Sequence, residues 1–554
     1  MRQHGGWAIA AVAAITGTTL AAPSASACGG FFCQSAPMDQ AGENILFSVE
    51  DDGTLVTHVQ ILYQGEADAF AWILPLPSVP TSIGVGSDAL FTQLGAVTRP
   101  QFSFGAQRTE GTCRPTPSCP YEYDTDTAYP GPSRGGGPDA GASFADAGRG
   151  VTVYLRETVG PYDAVVLGSG SSDELFAWLD ENGYDIPDTS RPIIGEYVAA
   201  RHVFVAVKLV SGADTREIQP LVLRYREAQP CVPMRLTAIA TVPDMPITAY
   251  FAAPRLATPN NYVRLEPDYD DVRLWRSEAG YYNTYVSNAV DDAGGRAWVT
   301  EYAGTMPAIS IAMPSVESLR TITEPTSFLQ QLRSLGFQGD SQLLGILIRF
   351  LPPPDSYASD PQQYYNCLWQ SWSSAESCGY DGSFDPDGLV TALTEQIVSP
   401  RRDAQDILDR QPRLTRLYTT MSAEDMTVDP TFSLDDGLPD VSNVHTATLV
   451  TECSADYFEW SAPRRIELPS GTTERWSEGF AYPGTDTAYC EDMHSGAFSP
   501  WSSPDTLRDT ARRRAITVGG GGLVCAIGGG AGARAVGLVL AAALAMAMVR
   551  RRRR

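Results

Sequence analysis

The first half of the chain is dominated by strand-like segments, and this feature most constrains the fold. Asn44–Glu50 and Leu55–Tyr63 flank the turn signal Asp52-Gly53. In the second segment apolar side chains such as Val59 alternate with polar ones, which is the pattern of a strand with one buried face. The sequence therefore predicts that the fold opens with a β-hairpin.

Further strands follow this hairpin. Ala69–Leu74 runs into Pro75-Leu76-Pro77, where prolines predict the end of the strand. Ser171-x-x-Glu174 is a capping box that predicts a helix over Asp173–Asn182, ended by Gly183. The other predicted strands are Val151–Arg156, Tyr162–Leu167, His202–Val210, Leu221–Arg226, Arg235–Val242, Thr248–Ala252 and Arg296–Thr300. Helical periodicity marks Ser327–Leu335, Ser341–Phe350 and Gly388–Val398.

These elements predict a β-rich α+β fold. Its N-terminal half is an antiparallel sheet or sandwich with one crossing helix, and its second half is more helical and irregular. The predicted boundaries give a β-rich domain over residues 28–255, with a low-complexity insertion at 121–150 that is too poor in apolar residues to order itself, and a mixed domain over 256–515.

The charge of the chain is strongly acidic. With 65 acidic and 40 basic residues, the formal net charge is −25. Phosphate contacts need a basic surface, so a nucleic-acid partner is not expected.

The N-terminal segment predicts export. Arg2 is followed by an apolar stretch over Trp7–Leu20 and by the small residues Ala25-Ser26-Ala27, the pattern of a signal peptide over residues 1–27. Signal peptidase would then cut after Ala27 and leave Cys28 as the first residue. Lipidation of Cys28 is the alternative, although that pathway favours a larger aliphatic residue where Ala25 stands.

The C-terminal segment predicts an anchor. A glycine-rich spacer over 516–534 contains Cys525, and the segment 535–554 joins the apolar run Ala535–Val549 to Arg550–Arg554. A short apolar span closed by cytoplasmic arginines is a stop-transfer pattern. The segment resembles the C-terminal sorting tags of myxobacterial surface proteins, which implies processing and anchoring at Cys525 by a sorting peptidase. A plain single-span tail anchor is the alternative, and both place the body outside the cytoplasm.

The cysteines support an oxidising compartment. Of ten cysteines, nine remain when Cys525 is set aside. The neighbours along the sequence are natural pairs, which leaves Cys231 as the odd thiol, although spacing cannot fix the connectivity. These candidate pairs are Cys28/Cys33, Cys113/Cys119, Cys367/Cys378 and Cys453/Cys490. Zinc binding is the rival interpretation, but the chain has no CxxC motif.

No catalytic motif is present, and no residue is assigned a catalytic role. The sequence contains neither GxSxG nor HExxH nor a phosphate-binding loop, and the scattered histidines are expected on the surface or in packing. Gly168-Ser169-Gly170 lies between a strand and a helix but lacks the third glycine of a dinucleotide loop, where Asp173 stands. No cofactor is expected on this basis.

Two charged features remain candidates. Asp381, Asp385 and Asp387 alternate with other residues as in calcium loops, but the EF-hand pattern fails and an acidic loop at a helix start is the alternative. Lys208 interrupts an apolar strand, and a buried ammonium needs a partner. We expect either a Lys208–Glu301 ion pair that ties the two halves together or a Lys208 that faces water.

Several motifs together resemble a known family. They are Cys28-Gly29-Gly30-Phe31-Phe32-Cys33, Phe70-Ala71-Trp72-Ile73-Leu74-Pro75, Trp178-Leu179 with Asn182-Gly183-Tyr184, Thr300-Glu301-Tyr302, Leu414-Thr415-Arg416-Leu417-Tyr418-Thr419-Thr420-Met421 and Asp429-Pro430. On these residues the chain resembles the bacterial family called domain of unknown function 2330 over about residues 28 to 450. The resemblance implies export and association with the envelope, without an activity.

The sequence thus predicts an exported envelope protein, anchored in the membrane and exposed at the outer cell surface, with a binding or structural role toward an envelope polymer or protein. A glycosidase-like secreted hydrolase that uses two carboxylates is one alternative, because glycosidic chemistry needs only such a pair. Aromatic residues such as Tyr364, Tyr365, Trp369 and Trp372 could stack on sugar rings or form core. Calcium-dependent adhesion is another alternative.

Overall fold

The computed structural model describes residues 39–64, 71–117, 150–184, 187–210, 218–227, 229–276, 280–370, 372–380, 382–481 and the backbone of 514–516. The strands are β1 (Asp39–Val49), β2 (Thr54–Gln64), β3 (Ala71–Leu76), β4 (Ser82–Val85), β5 (Gln101–Arg108), β6 (Val151–Val159), β7 (Tyr162–Ser169), β8 (Val203–Leu209), β9 (Leu221–Arg226), β10 (Met245–Ala253), β11 (Leu256–Pro259), β12 (Val263–Glu266), β13 (Ala297–Thr305), β14 (Arg413–Met421), β15 (Phe432–Asp435), β16 (Val444–Thr451), β17 (Arg464–Glu467), β18 (Thr473–Ser477) and β19 (Arg514–Ile516).

The helices are α1 (Asp88–Thr98), α2 (Ser172–Glu181), α3 (Arg191–Ala199), α4 (Met234–Thr237), α5 (Val272–Trp275), α6 (Tyr281–Asp292), α7 (Pro325–Ser334), α8 (Leu343–Phe350), α9 (Pro361–Leu368), α10 (Pro386–Leu393) and α11 (Ser399–Arg410). A π-helical turn over Thr394–Val398 joins α10 to α11. The fold is the mixed, strand-rich α+β class that the sequence predicts, with more helix in the second half.

A nine-stranded sheet forms the centre of the molecule, in the order β19-β12-β13-β14-β10-β1-β2-β9-β4. β1 and β2 form the predicted antiparallel hairpin, and Gly53 in its turn adopts a positive φ of 79°. β1 pairs with β10 in parallel, as β12 does with β13, so the sheet is mixed. Strands from both sides of the boundary predicted near residue 255 therefore share this sheet.

A four-stranded antiparallel sheet, β3-β8-β7-β6, covers part of one face of the large sheet. Its edge strand β3 contains Pro75 and continues to Leu76. The expectation that the strand ends at Leu74 is therefore wrong by two residues. A proline is tolerated here because an edge strand has one side without a ladder partner.

The two sheets share one hydrophobic core. Ile45 and Val59 of the nine-stranded sheet lie in the same buried cluster as Leu74 and Val205 of the four-stranded sheet. The alternation along β1 and β2 sends every second side chain into this layer. Burial between two sheets is what holds the layers together.

Helices cover the outer face of each sheet, which gives four layers. On the four-stranded sheet, α2 and α3 pack through Leu179 and Tyr197 against Phe204. On the opposite side of the nine-stranded sheet, α1 and α11 pack through Leu94 and Ile407. The large sheet is therefore covered on both faces.

Two smaller units and the two-stranded sheet β11-β15 complete the fold. Helices α7 to α10 enclose their own core, in which Tyr364, Tyr365 and Trp369 are buried, whereas Trp372 is 82% exposed. Of the four aromatic residues considered for sugar stacking, only Trp372 therefore lies on the surface. A third sheet, β18-β17-β16-β5, pairs β16 with β5 in parallel.

Most predicted elements are confirmed, and two further local predictions are wrong. Arg235–Val242 is not a strand, because its first part forms the short helix α4 after Pro233. Ser171 is the N-cap residue of α2 but its side chain makes no capping hydrogen bond. The hydroxyl of Ser169 instead accepts from the Ser171 backbone N–H at 3.1 Å, so the capping box is absent. The first half contains α1, α3 and α4 in addition to α2, the one helix that the sequence predicts there.

Candidate functional site

A small cavity lies between the two stacked sheets. Its volume is about 40 Å³, which is room for about one or two water molecules. β1 and β2 of the large sheet form one wall, and β3 with the residues before β8 forms another. The lining residues include Glu43, Ile45, Phe47, Thr57, Val59, Leu74, Leu76, Tyr197, His202, Tyr225, Glu227, Gln229 and Cys231.

Glu43 places a carboxyl group in this apolar layer. It follows the glycine Gly42 in β1 and shares a face with Ile45 and Phe47 because the strand alternates. Its side chain is 5% exposed and accepts a hydrogen bond from Gln40 at 3.2 Å. Burial raises the pKa of Glu43 to about 7, although the bond from Gln40 lowers it. This carboxyl group can therefore exchange a proton near neutral pH.

His202 and Tyr197 form the helical side of the cavity. Their rings meet edge to face with centroids 5.2 Å apart. Burial lowers the pKa of His202, so the imidazole is neutral at pH 7. The Tyr197 hydroxyl donates to Asp429 at 2.7 Å, and burial raises the pKa of Asp429 to about 6. A second protonatable carboxyl group thus lies one hydrogen bond away from the cavity wall.

An open cleft of about 620 Å³ shares Glu227 and Gln229 with the cavity. Its floor is apolar: Val49 and Leu434 are partly exposed there, whereas Leu55 and Phe432 are buried. Arg226 and Arg255 contribute to its lining, and each is ion-paired, with Asp52 at 3.3 Å and Asp436 at 3.8 Å. An apolar floor with hydrogen-bonding groups around it is the ordinary composition of a ligand site. We call this opening the outer cleft.

A buried ion pair lies away from both openings, where two of the family motifs meet. Glu301 is at a β-bulge of β13, and it accepts a hydrogen bond from Arg416 of β14. Arg416 also donates to the Tyr250 hydroxyl at 2.6 Å. Burial disfavours the guanidinium charge, but Glu301 and Tyr250 outweigh it and raise the pKa of Arg416. We assign this group to the structure of the sheet because no cavity reaches it among the described pockets.

The expected Lys208–Glu301 ion pair is wrong. Glu301 is occupied by Arg416, while Lys208 donates to the backbone carbonyl of Asn182 and lies 4.0 Å from the ring centroid of Tyr184. Lys208 thus finds its partners in its own sheet layer, on the loop that follows α2. Burial lowers the pKa of Lys208 to about 8, although the charge of Asp163 raises it.

The calcium candidates have other roles in the structure. Asp385 caps α10 by accepting from the Gly388 N–H at 2.9 Å, and Asp387 lies 3.7 Å from Arg320. Asp381 lies outside the described residues. Within the described part of the chain, no group of three or more His, Cys, Asp or Glu residues could hold a metal ion. The acidic loop at a helix start accounts for Asp385 and Asp387.

The disulfides differ from the pairs of sequence neighbours. Cys367–Cys378 is confirmed. Cys113 and Cys453 are bonded to each other, so the pairs Cys113/Cys119 and Cys453/Cys490 are wrong. The parallel pairing of β5 with β16 brings these two cysteines together just beyond the strands. Cys231 is disulfide-bonded and is therefore not an odd thiol.

The predicted processing sites lie outside the described residues. These are Ala27, Cys28 and Cys525. The disulfide candidates Cys33, Cys119 and Cys490 and residues 121–149 of the insertion also lie outside the described residues. In the part of the chain that is described, no helix is long and apolar enough to cross a membrane.

The sequence reasoning missed the cavity residues, although one signal was available. Glu43 immediately precedes the predicted strand Asn44–Glu50, and extending the alternation by one residue places its carboxyl group on the apolar face. His202 and His58 were expected on the surface or in packing, and both are buried. Tyr197 and Asp429 meet across 232 residues, which no local pattern shows.

Comparison with known proteins gives one finding. The model of a family described as uncharacterised proteins conserved in bacteria, domain of unknown function 2330, matches residues 22–384. No curated protein and no solved structure matches the chain.

Proposed function

The chain belongs to the bacterial family called domain of unknown function 2330, and from this premise we propose that it is an exported envelope protein that binds a polysaccharide in its outer cleft. The outer cleft carries the binding part of the proposal. The partly exposed Val49 and Leu434 on its floor suit the C–H faces of sugar rings, and the side chains of Arg226, Glu227 and Gln229 can bond to hydroxyl groups.

The disulfides support export. A reducing cytosol would rarely preserve the disulfides Cys113–Cys453 and Cys367–Cys378 or the disulfide in which Cys231 takes part. The signal-peptide pattern over residues 1–27 would direct the chain across the membrane, and the segment 535–554 would anchor it. The sorting resemblance at Cys525 extends this proposal to the outer cell surface.

A glycosidase-like hydrolase is the second candidate, and one observation favours it. Glu43 and Glu227 line the same cavity, and burial raises the pKa of Glu43 to about 7, which lets it hold a proton close to neutral pH, as a general acid must. The cavity volume of about 40 Å³ argues against hydrolysis at Glu43 and so favours binding in the outer cleft. The cavity holds about one or two water molecules and is too small for a sugar ring. Hydrolysis would require the two sheets to separate around Glu43.

Retention and turnover on immobilised polysaccharides separate these functions. We expect the mature protein to be retained without releasing sugars, and Arg226→Gln to weaken retention. Arg224→Gln is the matched control, since it lies two residues away on β9 and lines a different cleft. Sugar release that is lost in Glu43→Gln would establish the hydrolase, and neither retention nor release would leave a structural role.

A further inference from the structure

The small cavity between the sheets continues the outer cleft inward. β1 and β2 present both openings on the same face of the nine-stranded sheet. Val49 and Leu55 are paired across these strands and line the cleft, and the next pair on that face, Phe47 and Thr57, lines the cavity. Neighbouring positions on one face of a strand are about 6.6 Å apart. The cavity therefore begins one side chain beyond the floor of the outer cleft.

The size and walls of the cavity suit a small substituent with an apolar end. Its volume of about 40 Å³ excludes a sugar ring. The methyl and carbonyl groups of an acetamido substituent take up about the space of two water molecules. Phe47 of the nine-stranded sheet and Leu76 of the four-stranded sheet both line the cavity. A methyl group between the two sheets would be removed from water, which is favourable.

Tyr225 supplies the cavity with a hydrogen-bond donor. It stands opposite Leu55 in the sheet, and its hydroxyl accepts from Thr57 at 3.2 Å, so the ring leans from the level of the cleft floor into the cavity. Burial raises the pKa of Tyr225 to about 12, so the hydroxyl keeps its proton. No residue in the described part of the chain accepts that proton. Buried donors are normally satisfied, and the carbonyl oxygen of a ligand would satisfy this one.

Glu227 and Gln229 stand where the two openings meet, since both residues line the cavity and the outer cleft. Each side chain carries an oxygen atom that can accept a hydrogen bond from an amide N–H. A substituent that passes between the openings would leave its sugar ring in the outer cleft, against the partly exposed Val49 and Leu434. The floor, the mouth and the cavity can thus contact successive parts of one ligand.

On the basis of the proposed polysaccharide binding, we infer that the cavity selects N-acetylated amino sugars by receiving their acetamido group. The methyl group would lie between the sheets beside Phe47 and Leu76, and the carbonyl group would accept from Tyr225. The N–H group would donate to Glu227 or Gln229 at the mouth. The inference narrows the ligand of the outer cleft from polysaccharides in general to those with N-acetylated rings.

Calorimetric titration of the mature protein with two uncharged tetrasaccharides tests the inference. N-acetylated chitotetraose carries an acetamido group where cellotetraose carries a hydroxyl group, and we expect it to bind at least about tenfold more tightly. Tyr225→Phe should abolish most of this preference. Tyr262→Phe is the matched control, since this buried hydroxyl donates to the Val428 carbonyl at 2.6 Å and lines neither opening. It should keep the preference within about twofold of the wild type.

The outcomes separate this inference from the proposed function. Equal affinity for the two tetrasaccharides would overturn the inference, and weaker binding of both by Arg226→Gln would then leave polysaccharide binding in the outer cleft in place. Absence of binding by N-acetylated chitotetraose would also overturn it, and retention on another polysaccharide would show that the proposed function survives. The comparison of the two ligands on the wild type is decisive even if Tyr225→Phe does not fold.

Discussion

Glu301 on β13 and Arg416 on β14 form an ion pair in the centre of the nine-stranded sheet, with side chains only 1% and 5% exposed. The β-bulge at Glu301 turns its carboxylate toward the neighbouring strand. The pair joins two of the motifs on which the family resemblance depends. It is distant in sequence, since 115 residues separate its members.

Arg416→Met should destabilise the protein by about 3–5 kcal/mol, because it leaves the Glu301 carboxylate buried without a partner. Urea unfolding measures this loss. Arg413→Met is the control on the same strand, where the pair with Asp440 is much more exposed, at 29% and 64%, and it should cost less than about 1 kcal/mol. Equal losses of stability for the two variants would contradict the prediction that a buried ion pair costs more to break than an exposed one.

Glu43→Gln should change how stability depends on pH. Burial raises the pKa of Glu43 from 4.5 to about 7, so the folded protein holds this proton more tightly than the unfolded chain does. The resulting stabilisation is complete below pH 4.5 and is lost as the pH rises through about 7.

Above that pH we expect Glu43→Gln to be more stable than the wild type by on the order of 3 kcal/mol, and the difference should vanish in acid. Urea unfolding across this range provides the measurement, and Glu110→Gln at an exposed position is the control. Parallel curves for the wild type and Glu43→Gln would contradict the raised pKa.

Tyr197→Phe should weaken the attachment of α3 to Asp429. The variant loses the 2.7 Å hydrogen bond and leaves a buried carboxyl group with fewer donors, at an expected loss of about 1–3 kcal/mol. The pKa of Asp429 should also rise, because that hydrogen bond lowers it. Carboxyl NMR titration detects this shift, which Tyr154→Phe, at a position 50% exposed, should not produce.

Cys453→Ser should destabilise the protein more than Cys367→Ser does. The Cys113–Cys453 bond spans 340 residues and Cys367–Cys378 spans 11. Chain entropy assigns about 3 kcal/mol to the short loop and roughly twice that to the long one. Thermal unfolding under oxidising conditions compares the two variants. A larger loss for Cys367→Ser would mean that the Cys113–Cys453 bond contributes little beyond the β5–β16 pairing.

The sequence predicts local elements well because alternation and turn signals are local. Leu221–Arg226 is predicted with the bounds that β9 has in the structure. Arg235–Val242 fails because its alternating apolar residues fit a strand equally well, whereas packing after Pro233 forms a helical turn. Pairings such as β1 with β10 and Cys113 with Cys453 depend on the whole fold and leave no local pattern.

The candidate sites were predictable only in part. Both Lys208 and Glu43 are charged residues on apolar strand faces, and the same reasoning that singled out Lys208 applies to Glu43. The prediction of Glu301 as the partner of Lys208 was wrong because the actual acceptor, the carbonyl of Asn182, belongs to the backbone. Any residue type supplies such a carbonyl, so the sequence does not mark it.

Non-reducing peptide mass spectrometry of the protein from fractionated cells tests most directly that this is an exported, oxidised envelope protein. We expect it in the envelope fraction, with Cys28 as its first residue and Cys113 linked to Cys453. A modified end near Cys525 would indicate sorting, and an intact arginine tail would indicate a membrane tether. A cytosolic protein that retains Met1 and carries Cys113 and Cys453 as free thiols would contradict the account.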